Sequence, residues 1–144
     1  MLMPDVNILI YAHRREDPDH EFYRQWMERL ANGREPFAVS ALVAVAFVRV
    51  VTHPAFQPRP TPFHQAIAVI DSLAALTNCL MPKPGEQHWN LVKMLCEASS
   101  ARGKLVADAQ HAAIALEHGC TWVTRDADFE GFRGSGLRVE LLIP

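Results

Sequence analysis

The sequence predicts an α/β protein whose parallel sheet is wrapped by helices on both faces. Helical segments alternate with short apolar stretches along the whole chain, the pattern of strands joined by helical crossovers. Acidic residues recur where an apolar segment gives way to a turn or opens a helix, at Asp5, Asp108 and Asp126. Sheets of this class carry their sites at the carboxyl ends of the strands. The 144 residues suit one domain, taken as 1–144, with a core that needs no disulfide or zinc.

Asp5 follows Leu2-Met3 and opens the apolar segment Val6 to Ala12. Asp17-Pro18 is a helix-start signal, with Asp19 and Glu21 favourable near the positive end of the dipole. That helix runs to about Ala31, where Asn32-Gly33 stops it, and Phe22, Trp26 and Leu30 give it one apolar face at i, i+4, i+8. A short strand is expected around Pro36 to Val39. Ser40 then caps an apolar segment reaching Thr52, whose length favours helix over strand and which His53-Pro54 closes. Thr61 to Leu76 reads as an amphipathic helix, and Asn78 to Met81 as a strand. Gly85 to Ala101 reads as a helix whose Trp89 is expected in the core, and about Leu105 to His118 as a small-residue helix stopped by Gly119. Cys120 to Thr124 is a β-branched and aromatic strand, and Arg138 to Leu142 a final edge strand.

Composition excludes several classes. The chain is 49% apolar and 21% charged, the balance of an ordinary globular protein. Its longest apolar run, Ala41 to Val48, falls well short of the roughly 20 residues of a membrane span. The N-terminus lacks a signal-peptide pattern, so a cytoplasmic location is expected. Three cysteines without C-x-x-C spacing argue against a disulfide framework or a zinc knuckle. A net charge of −2 does not advertise a nucleic-acid binder. Cations nevertheless flank each acid: Arg14 and Arg15 after the Asp5 segment, Arg102 and Lys104 before Asp108, and Arg125 before Asp126.

Carboxylates gathered at one sheet edge repel one another unless a hard divalent cation neutralises them. Such an ion can acidify an attacking water or stabilise a leaving oxygen, the two needs of phosphodiester hydrolysis. The leading expectation is therefore a Mg²⁺ or Mn²⁺ site built on Asp5, Asp108 and Asp126. Each aspartate also has an ordinary structural role open to it, as a turn former or a helix-terminal acid. His111, one helical turn from Asp108, is expected to be a satisfied or exposed histidine. Arg49 closes an apolar helix, either contacting phosphate or reaching to water.

The stretch Pro4-Asp5-Val6-Asn7 through His13, the segment Ser40 to Pro54 with Arg49-Val50-Val51-Thr52-His53-Pro54, and Ala107-Asp108-Ala109 leading to Thr124-Arg125-Asp126-Ala127-Asp128-Phe129 together resemble a PIN-domain ribonuclease, and within that family the VapC toxins of bacterial toxin–antitoxin pairs. The resemblance covers essentially the whole chain. It implies an α/β/α sandwich with a central parallel sheet, a Mg²⁺- or Mn²⁺-dependent endoribonuclease acting on structured RNA such as tRNA or rRNA, a homodimer, and inhibition by a cognate antitoxin. By the same resemblance Asp5, Asp108 and Asp126 are catalytic acids and metal ligands, Asp128 is an accompanying ligand, and Asn7 and Thr124 support them. Arg49 and Arg125 are candidate phosphate contacts. Where such domains usually carry a glutamate, this sequence has Ala46, which predicts a single-metal site or weak binding of a second ion, with Asp128 or Asn7 partly compensating. It also keeps open an alternative, a catalytically silent PIN-like module that binds RNA or an antitoxin. A phosphotransfer receiver, the third class, would want an acidic pair near the first strand and a lysine after Lys104; neither is present.

Overall fold

A computed structural model describes all of residues 1–144. The elements are β1 (Leu2–Pro4), α1 (Val6–His13), α2 (His20–Asn32), β2 (Phe37–Ala38), α3 (Ala41–Val51), α4 (Phe63–Ala74), β3 (Cys79–Leu80), α5 (His88–Ser99), α6 (Lys104–Glu117), β4 (Thr121–Thr124), a 3-10 helix (Ala127–Ser135) and β5 (Arg138–Leu141). The five strands form one sheet in the order β3-β2-β1-β4-β5. Every pairing is parallel, with Leu2 opposite both Phe37 and Thr121, and Thr121 opposite Arg138. From β1 the chain winds outward to β3, then crosses back to lay β4 and β5 on the other side. The strand order thus reverses between β1 and β4, the place where sheets of this kind open a crevice.

Right-handed crossovers put α1 to α4 on one face and α5, α6 and the 3-10 helix on the other. The packing follows this division: α1 contacts α2 and α3, α3 contacts α4, and α5 contacts α6 and the 3-10 helix. The result is the three-layer α/β/α sandwich expected from the sequence. Its core includes Trp122 of β4, fully buried against Phe129 and, through a stacked ring, His111 of α6. No helix is long and apolar enough to cross a membrane.

Local signals explain most boundaries. Ser40 is fully buried and its Oγ accepts the Val43 amide at 3.1 Å, capping α3. Such a bond stabilises a helix end by about 1 kcal/mol. Tyr23, Trp26 and Met27 form the buried side of α2. That helix starts later than the Asp17-Pro18 signal suggests, because the Asp17 carboxylate accepts the Asp19 amide in a turn and Asp19 occupies the cap position. Trp89 departs from expectation: it is 66% exposed, beside Lys93, in the first turn of α5. Cys79 and Cys120 are buried free thiols, and Cys96 is half-buried.

Candidate active site

Asp5 stands at the first residue past β1, where its backbone amide still bonds to Val123 of the neighbouring β4. Its side chain turns back to cap α1, Oδ1 accepting the Val6 amide at 2.6 Å. At the end of β4, Thr124 is fully buried and its hydroxyl donates to Asp5 Oδ2 at 2.6 Å. The same hydroxyl oxygen accepts the Asp126 amide at 3.0 Å. Asn7, one residue into α1, donates its amide to Asp5 Oδ2 at 2.9 Å and to Thr124 Oγ1 at 3.2 Å. Asp5, Asn7, Thr124 and Asp126 therefore form one hydrogen-bonded unit across the β1/β4 switch point. Its existence depends on the parallel register that sets Pro4 opposite Val123.

Asp108 reaches this edge from the second turn of α6, and Asp126 and Asp128 from the turn that starts the 3-10 helix. Asp126 Oδ1 accepts the Asp128 amide, fixing that turn. Each of Asp108, Asp126 and Asp128 offers a carboxylate oxygen to a group in which all lie within 4.8 Å of one another. Asp5, expected to join them as a ligand, is not one of this group: it is only 5% exposed and feels the charges of Asp108 and Asp126, while its two oxygens accept from Val6, Asn7 and Thr124.

Lys104 occupies the centre of the trio. One helical turn before Asp108, its ammonium lies 3.1 Å from Asp108, 2.8 Å from Asp126 and 3.7 Å from Asp128. Three carboxylates from two separate segments are thus already arranged around a positive charge. Short, hard, anionic oxygens at that spacing suit a divalent cation of the Mg²⁺ or Mn²⁺ type, so the residues present fit such an ion. Removing the tethered charge is expected to help an ion in: Lys104→Met should bind Mn²⁺ about tenfold more tightly, about 1.4 kcal/mol, in titrations followed by electron paramagnetic resonance. Unchanged or weaker binding would count against competition for the same oxygens.

Burial pushes the Asp5 carboxyl up to about 6; the Thr124 hydroxyl and the Val6 amide pull it down, while the charges of Asp108 and Asp126 add to the rise. Asp108 is also raised, first by burial, with Lys104 opposing. Burial acts to raise Asp126 as well, but Lys104 and the Asp128 amide outweigh it and hold this carboxyl low. A raised carboxyl favours the native state when protonated. The Asp5 contribution to stability is therefore full below its ordinary value of 3.8 and lost as pH climbs through about 6. In chelator, Asp5 should cost the protein up to about 3 kcal/mol between pH 4 and 7, and Mn²⁺ should raise the melting temperature more at pH 7 than at pH 5. Thermal melts that show equal Mn²⁺ stabilisation at both pH values would contradict this.

The other sequence-picked residues lie elsewhere. Arg125 swings away from the acids, its guanidinium over the Tyr11 ring at 4.2 Å and 3.4 Å from Asp19. Arg49 lines an apolar cleft of about 350 Å³ between α3 and α4, with Val45, Ile67 and Ile70, and makes no hydrogen bond or ion pair to any of the four aspartates. Ala46 sits half-buried in the middle of α3. Burial pushes His111 down to about 4 against Trp122; it is an uncharged ring at neutral pH, and against the expectation of a satisfied or exposed histidine its buried Nδ1 has no partner. Lys104 as a bridge between segments is the one part that sequence reasoning missed: its i, i+4 spacing to Asp108 is visible, its contact with Asp126 is not.

Residues 2–134 match the PIN domain family. The chain is 41% identical over 133 residues to ribonuclease VapC43 of Mycobacterium tuberculosis, covering 92% of this chain and 90% of that one. Its fold is similar to that of M. tuberculosis VapC20, a sarcin-ricin loop cleaving toxin, with a TM-score of 0.69 at 13% identity over the full length of both chains. It is also similar to a toxin-antitoxin complex from Klebsiella pneumoniae, with a TM-score of 0.64 at 20% identity, covering 97% of this chain and 96% of that one. This chain belongs to the PIN domain family and, within it, to the VapC ribonucleases.

Proposed function

We propose that the protein is an endoribonuclease toxin of a type II toxin–antitoxin pair, hydrolysing phosphodiester bonds in structured RNA, tRNA or rRNA, in the cytoplasm. Asp5, Asp108 and Asp126 are the catalytic acids, and with Asp128 they hold Mg²⁺ or Mn²⁺. The observation that carries this reading is the convergence of Asp108, Asp126 and Asp128 from two chain segments around the Lys104 charge, with Asp5 close enough to feel the charges of Asp108 and Asp126. A bound divalent ion would acidify the attacking water and neutralise charge on the phosphate. The protein's own part is orientation: Thr124 and Asn7 fix the Asp5 carboxylate, and the Asp128 amide fixes that of Asp126. Ala46 in place of a glutamate favours one tightly held ion, with Asp128 supplying a further oxygen.

A cognate antitoxin partner is supported by the likeness to a solved toxin-antitoxin complex, and the homodimer by the resemblance of the motifs alone. The deciding experiment incubates purified protein with total RNA, with Mg²⁺ or Mn²⁺ and then with chelator. Discrete fragments that vanish in chelator support the nuclease. RNA binding without cleavage by any divalent cation supports the silent binding module that Ala46 keeps in view.

A further inference from the structure

A second cleft, of about 590 Å³, opens at the end of α1 away from Asp5. Its walls come from the end of α1, the first half of α2, the proline-rich loop before α4 and the first half of α4. These parts lie at the carboxyl rim of the sheet. α1 leaves β1 at that rim, while α2 and α4 run from it toward the opposite edge, where β2 and β3 begin. The Asn78 amide marks that far edge by bonding the Leu30 and Gly33 carbonyls at the end of α2. α1 has eight residues and spans about 12 Å, so the cleft lies about one short helix from Asp5.

The cleft is strongly basic in a chain whose net charge is −2. Arg14, Arg15, Arg24 and Arg59 line it against the single acid Glu16. Arg24 is engaged by Glu21 and Glu28, whereas Arg14, Arg15 and Arg59 have no ion-pair partner. The Arg14 guanidinium lies over the Phe56 ring, and its Nε is buried without a hydrogen-bond partner. A buried donor left unmatched costs free energy that an incoming acceptor oxygen recovers. Guanidinium groups offer flat, multiple donors that suit phosphate oxygens. Between the cleft and the acids sits Arg125, over Tyr11, whose carbonyl lies 3.0 Å from His20 Nδ1 in the cleft wall.

We propose that this cleft seats the phosphodiester backbone of the RNA strand to one side of the cut bond, the strand following α1 from the carboxylates to Arg14, Arg15 and Arg59. This rests on the endoribonuclease reading and adds the direction in which the substrate leaves the site. Phosphate contacts of this kind position a strand without reading its sequence.

The test measures fluorescence anisotropy of a fluorescein-labelled single-stranded RNA of mixed sequence, in chelator so that nothing is cut. Arg15 and Arg59 are exposed, so R15A/R59A should melt as the wild type does, while R14A is paired with its own melting curve. R15A/R59A is expected to bind RNA about tenfold more weakly at about 0.1 M salt, with the slope of log K against log salt shallower by about 1.4, the value for two lost single-strand phosphate contacts. Equal affinity and slope in wild type and variant, with wild-type cleavage intact, overturn this inference alone. Lost binding of a poly-glutamate peptide with unchanged RNA binding assigns the cleft to an acidic protein segment and also overturns it. A wild type that neither binds nor cuts RNA overturns both this inference and the endoribonuclease reading.

Discussion

Asp108→Asn is expected to lower metal-dependent RNA cleavage by at least about a hundredfold, the scale on which losing one preorganised charge-stabilising group is felt, while leaving the fold intact. Asp108 makes one side-chain hydrogen bond, to Lys104, and an asparagine oxygen can keep it. What is lost is one of the anionic oxygens of the trio. Asp5→Asn should lose as much activity but also stability, because both carboxylate oxygens accept, Oδ1 from Val6 and Oδ2 from Asn7 and Thr124. An asparagine presents only one acceptor and aims donor hydrogens at another donor. Cleavage assays in Mn²⁺ paired with thermal melts separate the two effects. An Asp108→Asn protein that cuts RNA at the wild-type rate would remove Asp108 from the reaction.

The gathering of Asp108, Asp126 and Asp128 was legible because the placement of such acids is tied to secondary structure. An aspartate just past a strand, or near the start of a helix that leads back to the next strand, falls toward the carboxyl edge of a parallel sheet. The Ser40 cap was legible for the same reason, since it depends on a spacing within one turn, whereas the apolar face of α2 was legible only in part: Trp26 is buried as expected, but Tyr23 and Met27 rather than Phe22 and Leu30 complete the buried side. Strands β2 and β3 have two residues each, too few for periodicity to fix their ends. The 3-10 helix from Ala127 to Ser135 follows an Asp126 cap, a position that reads equally well as a turn. Charges were legible as neighbours in sequence but not in space. Arg125 adjoins Asp126 along the chain yet packs on Tyr11, whereas Lys104, 22 residues from Asp126, touches it. Arg14 and Arg59 line one cleft because the loop before α4 folds over the end of α1, a juxtaposition no local pattern encodes.

Thr124→Val keeps the shape of the side chain and deletes its hydroxyl, and it is expected to cost about 2 to 3 kcal/mol of stability as well as most of the activity. The hydroxyl is fully buried and serves three partners: it donates to Asp5, and its oxygen accepts from Asn7 and from the Asp126 amide. Loss of one partner from a buried polar group costs about 1 to 3 kcal/mol, and here several groups are stranded together. Thr124 is also the strongest of the hydrogen bonds holding the Asp5 carboxyl down against burial, so its removal should carry that carboxyl above about 6. The acid limb of the cleavage profile should then move to higher pH, because the ionised form of Asp5 is reached later. Thr124→Ser retains the hydroxyl and should restore the profile, whereas a mere packing role would leave the limb unmoved in both variants. Chemical denaturation and a pH–rate series on the three proteins check this. A Val variant as stable as the wild type, with the same acid limb, would show that the hydroxyl does not organise the acids at the β1/β4 switch point.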